Sequence, residues 1–174
     1  PVALILGDNL FFGAGLSEQI QGAMNQVMVS GADIFCCAVE DPCRFGVVDF
    51  GVSGEILSIE EKPQLPKSRL AMTGLYVFDQ CAAGYAKKLK PSQRGELEIT
   101  DLIRIYLEHG ALRAHRLDPG CAWFDTGTYE SLTDASQFVQ AIEQQKGVKI
   151  ACLEEVAYRI GWLDRSKIEC KANL

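Results

Sequence analysis

Long hydrophobic stretches, an excess of basic charge and repeated cysteine spacings are all missing from this 174-residue chain, and each absence removes a class of function. No apolar run approaches the roughly 18–20 residues needed to cross a bilayer, so no membrane partner is expected. Residues 1–6 are apolar but short, with no basic flank and no small-residue cleavage site, and do not read as a signal peptide. Lys and Arg number 17 against 23 Asp and Glu, for a net charge of −6, which weighs against nucleic-acid partners because these need a basic face. The seven cysteines (Cys36, Cys37, Cys43, Cys81, Cys121, Cys152, Cys170) show no C-x-x-C spacing, and some sit inside apolar runs. Buried structural thiols in a reducing compartment are expected, hence the cytoplasm. His109 and His115 have no ligand spacing and read as structural. A Walker loop, a serine-hydrolase elbow and a dinucleotide-binding G-x-G-x-x-G are absent as well.

What remains is ordinary globular material, 48% hydrophobic and 23% charged, enough for about one domain. Residues 2–6 form a continuous apolar run that predicts a buried parallel strand. The chain opens at Pro1 within that run, which leads to the expectation of a piece of a longer chain. Leu16, Ile20, Ala23 and Val27 recur with helical period, and residues 32–39 predict a second buried strand. Residues 46–50 and 55–59 flank GVSG at 51–54 and read as a hairpin. A strand follows at 71–78, helices at 81–89 and 100–108, and a strand at 112–117. Thr128 is a plausible N-cap for a long helix that ends at Gly147. A short strand at 148–152 and two short helices at 153–160 and 164–170 complete the chain. Together these predict an α/β fold: a partial doubly wound, mostly parallel sheet with a β-hairpin insertion and C-terminal helices.

In open parallel sheets ligands bind beyond the carboxyl ends of the strands. Asp8 stands there after the first strand, and Asp125 in AWFDTG occupies a similar place. Two carboxylates at adjacent strand ends can hold one Mg²⁺, a hard ion that bridges substrate phosphates; alternatively each is a turn or cap aspartate. Glu60-Glu61-Lys62-Pro63 sets an acid and a base at a strand end, with Pro63 predicted to hold Lys62 extended. The pair can present a hydroxyl acceptor and a phosphate donor, or simply be a solvated charge run. Arg94, in a polar loop before a helix, can grip a phosphate bidentately or be a surface arginine.

Taken in order, LGDNLFFG (6–13), DPCRFGVV (41–48), IEEKP (59–63), TGLY (73–76), RGELEITD (94–101) and WFDTGT (123–128) resemble the bacterial glucose-1-phosphate thymidylyltransferases of the sugar-phosphate nucleotidyltransferase superfamily. The resemblance implies a Rossmann-like nucleotidyltransferase sheet and a cytoplasmic enzyme that joins dTTP and glucose 1-phosphate to dTDP-glucose and pyrophosphate, for deoxysugar and polysaccharide precursors. It assigns Asp8 and Asp125 to Mg²⁺, and Gly46, Glu61, Met72, Tyr76 and Trp123 to the sugar pocket. Lys62 and Arg94 would grip the sugar phosphate, and Asp8, Asp125, Lys62 and Arg94 would be the catalytic set. It further implies residues 1–134 as the sugar-binding half of the α/β domain, 135–174 as its helical tail, and a homotetramer when intact. Phe45 and Met72 depart from the family's Tyr and Val. The family's G-G-x-G-T-R-L triphosphate loop occurs nowhere in the chain, so this would be the C-terminal part of such an enzyme, inactive by itself. The alternative is a non-catalytic sugar-nucleotide-sensing or scaffold module that kept the pocket without the loop.

Overall fold

The computed structural model describes residues 1–92 and 95–172. They fall into two compact units, Pro1–Gly127 and Thr128–Leu174. The first unit is an α/β fold around a six-stranded sheet. Its strands are β1 (Val2–Ile5), β3 (Ala32–Ala38), β4 (Gly46–Phe50), β5 (Ile56–Glu61), β6 (Leu70–Phe78) and β7 (Leu112–Arg116), in the order β5-β4-β6-β3-β7 with β1 also paired to β6. A separate two-stranded ribbon joins β2 (Asn9–Phe12) to β8 (Ala122–Asp125).

Alternation along the strands sends successive side chains to opposite faces, and both faces are covered. Ile34, Cys36, Tyr76 and Phe78 point to one side and pack with Leu102, Ile103 and Tyr106 of α3 (Ile99–Glu108). Phe35, Leu75 and Val77 point to the other and pack with Ala23 and Val27 of α1 (Leu16–Val27). Two-sided burial explains why β3 and β6 read as predominantly apolar runs, broken only by Asp33 in the one and by Thr73 and Gly74 in the other.

Strand direction differs from expectation. Among the described strand pairs only β3–β7 is parallel; β1–β6, β3–β6, β4–β5, β4–β6 and β2–β8 are all antiparallel. The sheet is therefore mixed rather than mostly parallel, because β6 runs against its neighbours on both sides. The predicted hairpin is present, closed by Gly51 N–H to the Glu55 carbonyl at 2.8 Å. β1 is not buried: Val2 is 57% and Ile5 55% exposed. It lies beside β6 with no described strand on its other edge. Residues 148–152 form no strand. The ribbon was not foreseen, since four-residue strands offer too little alternation to stand out.

One buried ionic cluster ties β3 to β7. The parallel register sets Asp33 opposite Arg113, whose Nε and Nη2 donate to Oδ1 and Oδ2 at 3.0 and 2.7 Å. His115 Nε2 also meets Oδ1, and its ring stacks on Phe35. Asp33 is fully buried. Burial alone would raise its pKa, but the hydrogen bonds from His115 and Arg113 outweigh it and hold the carboxyl below its ordinary value.

The second unit is helical: α4 (Tyr129–Lys146), α5 (Leu153–Arg159) and α6 (Arg165–Ala172) follow α2 (Ala82–Ala86) of the first unit in chain order. Thr128 caps α4 in a capping box with Ser131, and Gly147 ends it at φ 62°. Among the described residues, no helix is long and apolar enough to cross a membrane.

Candidate active site

The β2–β8 ribbon decides where the two site aspartates lie. Its register sets Asn9 opposite Asp125, so Asp8 and Asp125 emerge at the same end. Thr126 fastens that end: its N–H and its hydroxyl both donate to the Asp8 carbonyl at 2.8 Å. The Gly127 N–H donates to Asp125 Oδ1 at 3.3 Å. A Cβ on Gly127 would stand 3.3 Å from Asp125 Oδ1 and 3.7 Å from Asp8 Oδ2, so both carboxylates converge on a point that glycine leaves open.

Asn9 fixes the direction of Asp8. Its Nδ2 donates to Asp8 Oδ1 at 2.8 Å, while its Oδ1 accepts from Trp123 Nε1 at 2.6 Å and from the Gly74 N–H at 3.2 Å. A Cβ on Gly74 would fall 2.7 Å from the Asn9 carboxamide, so no larger residue fits there without displacing it.

Hard carboxylate oxygens that converge on one open point suit Mg²⁺. Among the described residues no three His, Cys, Asp or Glu gather as a metal cage, so the pair would hold the ion only with water and substrate oxygens completing its shell.

Behind the aspartates lies a cavity of about 200 Å³, lined by Asp8, Gly46, Glu61, Lys62, Met72, Tyr76, Trp123 and Asp125 among others. Eight of the nine residues singled out in the sequence thus meet around one space. The β4–β5 register pairs Gly46 with Glu61. The Thr100 hydroxyl donates to Glu61 Oε2, so α3 helps to aim that carboxylate. Burial first, and then the Glu61 charge, push the Tyr76 hydroxyl above its ordinary value, leaving it protonated and able to donate. A half-buried carboxylate beside a protonated phenol and an indole wall is the lining a polyhydroxylated ring needs.

Lys62 is exposed at the cavity mouth, and its backbone corrects an expectation. Its φ is 44°, left-handed rather than extended. The chain has to turn there: the Lys62 N–H donates to the Phe45 carbonyl at 3.0 Å, ending the β4–β5 pairing, and Pro63 is buried immediately afterwards. A non-glycine residue in this region costs on the order of 1 kcal/mol and is found where surroundings enforce it. Arg94 lies outside the described residues.

The cavity also takes in residues that sequence reasoning did not nominate, among them Asn9, Arg44, Phe45 and Gly74. Asn9 and Gly74 stand inside quoted motifs, yet only the fold brings them together, 65 residues apart in the chain. Phe45, which departs from the tyrosine of the resembling family, leans its ring on Trp123 with centroids 5.2 Å apart.

The sequence pattern of the nucleotidyl transferase family matches residues 1–142. This chain belongs to that family. It is 51% identical over 168 residues to a Neisseria meningitidis protein named glucose-1-phosphate thymidylyltransferase, covering 97% of this chain and 58% of that protein. A Mycobacterium tuberculosis protein of the same name is 45% identical over 171 residues, again with 58% of its length covered. The chain therefore spans rather more than half of the curated relatives it matches. A Bacillus anthracis crystal structure, described as a glucose-1-phosphate thymidylyltransferase in complex with a sucrose, superposes with a TM-score of 0.69 at 41% identity over 78% of this chain and 53% of that one. A UDP-glucose pyrophosphorylase solved with UDP-glucose gives a TM-score of 0.66 at 23% identity, covers 78% of this chain and 54% of that one, and shows the shared α/β fold alone.

Proposed function

We propose that the chain is the sugar-phosphate-binding part of a cytoplasmic glucose-1-phosphate thymidylyltransferase, which joins dTTP and α-D-glucose 1-phosphate to dTDP-glucose and pyrophosphate. In this reading residues 1–134 hold the sugar side, residues 135–174 are the helical tail, and the intact protein is a homotetramer. The observation that carries it is the meeting of Gly46, Glu61, Met72, Tyr76 and Trp123 around one cavity with two convergent carboxylates at its mouth. The names of the relatives support the same reaction.

The chemistry asks for positioning and charge neutralisation, not for a covalent nucleophile. An oxygen of the sugar phosphate attacks the α-phosphorus of dTTP, and pyrophosphate leaves. Glu61 accepts hydroxyls of the sugar, Tyr76 and Trp123 wall the ring, and Lys62 with Arg94 holds the attacking phosphate. Asp8 and Asp125 would hold Mg²⁺, which when bound offsets charge on the α-phosphate.

Asp125→Asn in the full-length protein tests this. Pyrophosphate release should fall on the order of 100-fold or more. The melting midpoint should move by about 2 °C or less, since Asp125 is only half-buried and the hydrogen bond it accepts from the Gly127 N–H can be kept by an amide oxygen. Unchanged turnover would overturn the metal role. Absence of dTDP-glucose formation by the unaltered full-length protein would overturn the reaction.

A further inference from the structure

Arg44 has no part in the scheme above, yet it lines the charged mouth beside Lys62, Asp8 and Asp125. It closes a 3-10 turn, Pro42–Arg44, that Asp41 caps by accepting from the Cys43 N–H at 3.3 Å. The residue is exposed, and among the described residues no carboxylate pairs with its guanidinium. What it touches is an aromatic face: its Cζ lies 5.6 Å from the centroid of Phe45. Phe45 in turn leans on Trp123 of the cavity wall. A guanidinium stacked on a braced ring gives up less freedom on binding than a free surface side chain, and its fork matches phosphate oxygens.

The second observation is the company it keeps. The Phe45 carbonyl accepts from the Lys62 N–H, so the segments bearing Arg44 and Lys62 form one hydrogen-bonded corner. Both cations line an open basin of about 440 Å³ together with Asp8, Asp125 and Gly127. Arg44 lines the inner cavity too, so it borders both the sugar space and the way out. In a protein of net charge −6, two cations that have no carboxylate partner among the described residues, lining one basin with two convergent carboxylates, describe a place for an anion that arrives with a divalent ion.

We propose that Arg44 is a phosphate-binding residue of this site, its guanidinium forming charge-assisted hydrogen bonds to a phosphoryl group held between the Arg44–Lys62 corner and the aspartates. This rests on the nucleotidyl-transfer function proposed above, where that group belongs either to the sugar 1-phosphate or to pyrophosphate.

The test is NMR titration of the full-length protein, with Arg44→Ala and Arg44→Lys, at one fixed Mg²⁺ concentration and by three probes: α-D-glucose 1-phosphate, pyrophosphate and uncharged glucose. Arg44→Ala should weaken one or both anions roughly 10- to 100-fold, the range of a charge-assisted hydrogen bond, and leave glucose within twofold. Arg44→Lys should recover part of the loss, because it restores charge without the fork. A loss confined to glucose 1-phosphate places Arg44 on the attacking group, and one confined to pyrophosphate places it on the leaving group; either supports the assignment. Both anions bound within twofold of the unaltered protein would overturn it, and so would an equal loss of glucose, which would mean a collapsed pocket. If the unaltered protein binds these anions but makes no dTDP-glucose, the thymidylyl reaction fails while the Arg44 assignment stands.

Discussion

A single carboxamide, that of Asn9, holds three hydrogen bonds and through them sets the aim of Asp8. Because Gly74 and Asn9 press on the same contact, they should act as a unit. Gly74→Ala drives a methyl into the carboxamide, and Asn9→Ala removes it, so each should weaken divalent-ion binding roughly 10-fold, as loss of a ligand-orienting partner commonly does. Binding of Mn²⁺ followed by electron paramagnetic resonance would measure this directly. The double variant should be no worse than the poorer single one; fully additive losses would show that the two residues do not work through one contact.

Between elements, the Asp33–Arg113–His115 cluster is the polar link between β3 and β7. Asp33→Asn should cost on the order of 2 kcal/mol, less than a fully enclosed ion pair because Arg113 is about a third exposed. The carboxyl of Asp33 is held below its ordinary 3.8, so it stabilises the fold fully above that value and loses its contribution as pH falls through its lower folded pKa. Melting curves should therefore separate the unaltered protein from Asp33→Asn at pH 7, with the gap narrowing as pH falls below about 3.8. A gap as wide at pH 3 as at pH 7 would contradict the ionised state. Elements with a strong period were legible beforehand: α1 from Leu16, Ile20, Ala23 and Val27, α4 from its Thr128 cap, and the hairpin from its glycines. Strand direction was not, because an apolar run such as β6 reads the same whichever way its neighbours run. Exposure of β1 was equally hidden, since hydrophobicity records what a strand can bury and not what lies against it. The same limit applied at the site. Motif order led to Asp8, Glu61 and Trp123, while Arg44 and Asn9 acquire meaning only through which rings and amides the fold brings beside them.

At the scale of the whole first unit, a doubly covered mixed sheet carries the cavity on β4, β5 and β6, and a small ribbon carries the acids. The sheet and the ribbon differ in what sustains them. β3 and β6 sit between two apolar layers, whereas β2 and β8 are only half-buried and, among the described strands, pair only with each other. Trp123 and Asn9 are 114 residues apart, so closing the ribbon fastens the ends of a long stretch of chain, and two strands by themselves are marginal in water. The site should therefore have its own opening equilibrium, separate from unfolding of the sheet. In native-state hydrogen exchange, amides of β2 and β8 should exchange well before those of β3 and β6; simultaneous exchange would show that one cooperative event releases both. The acids would then be paired only for part of the time in the empty protein, and a ligand that bridges them would act as the clasp of the fold at its least stable seam.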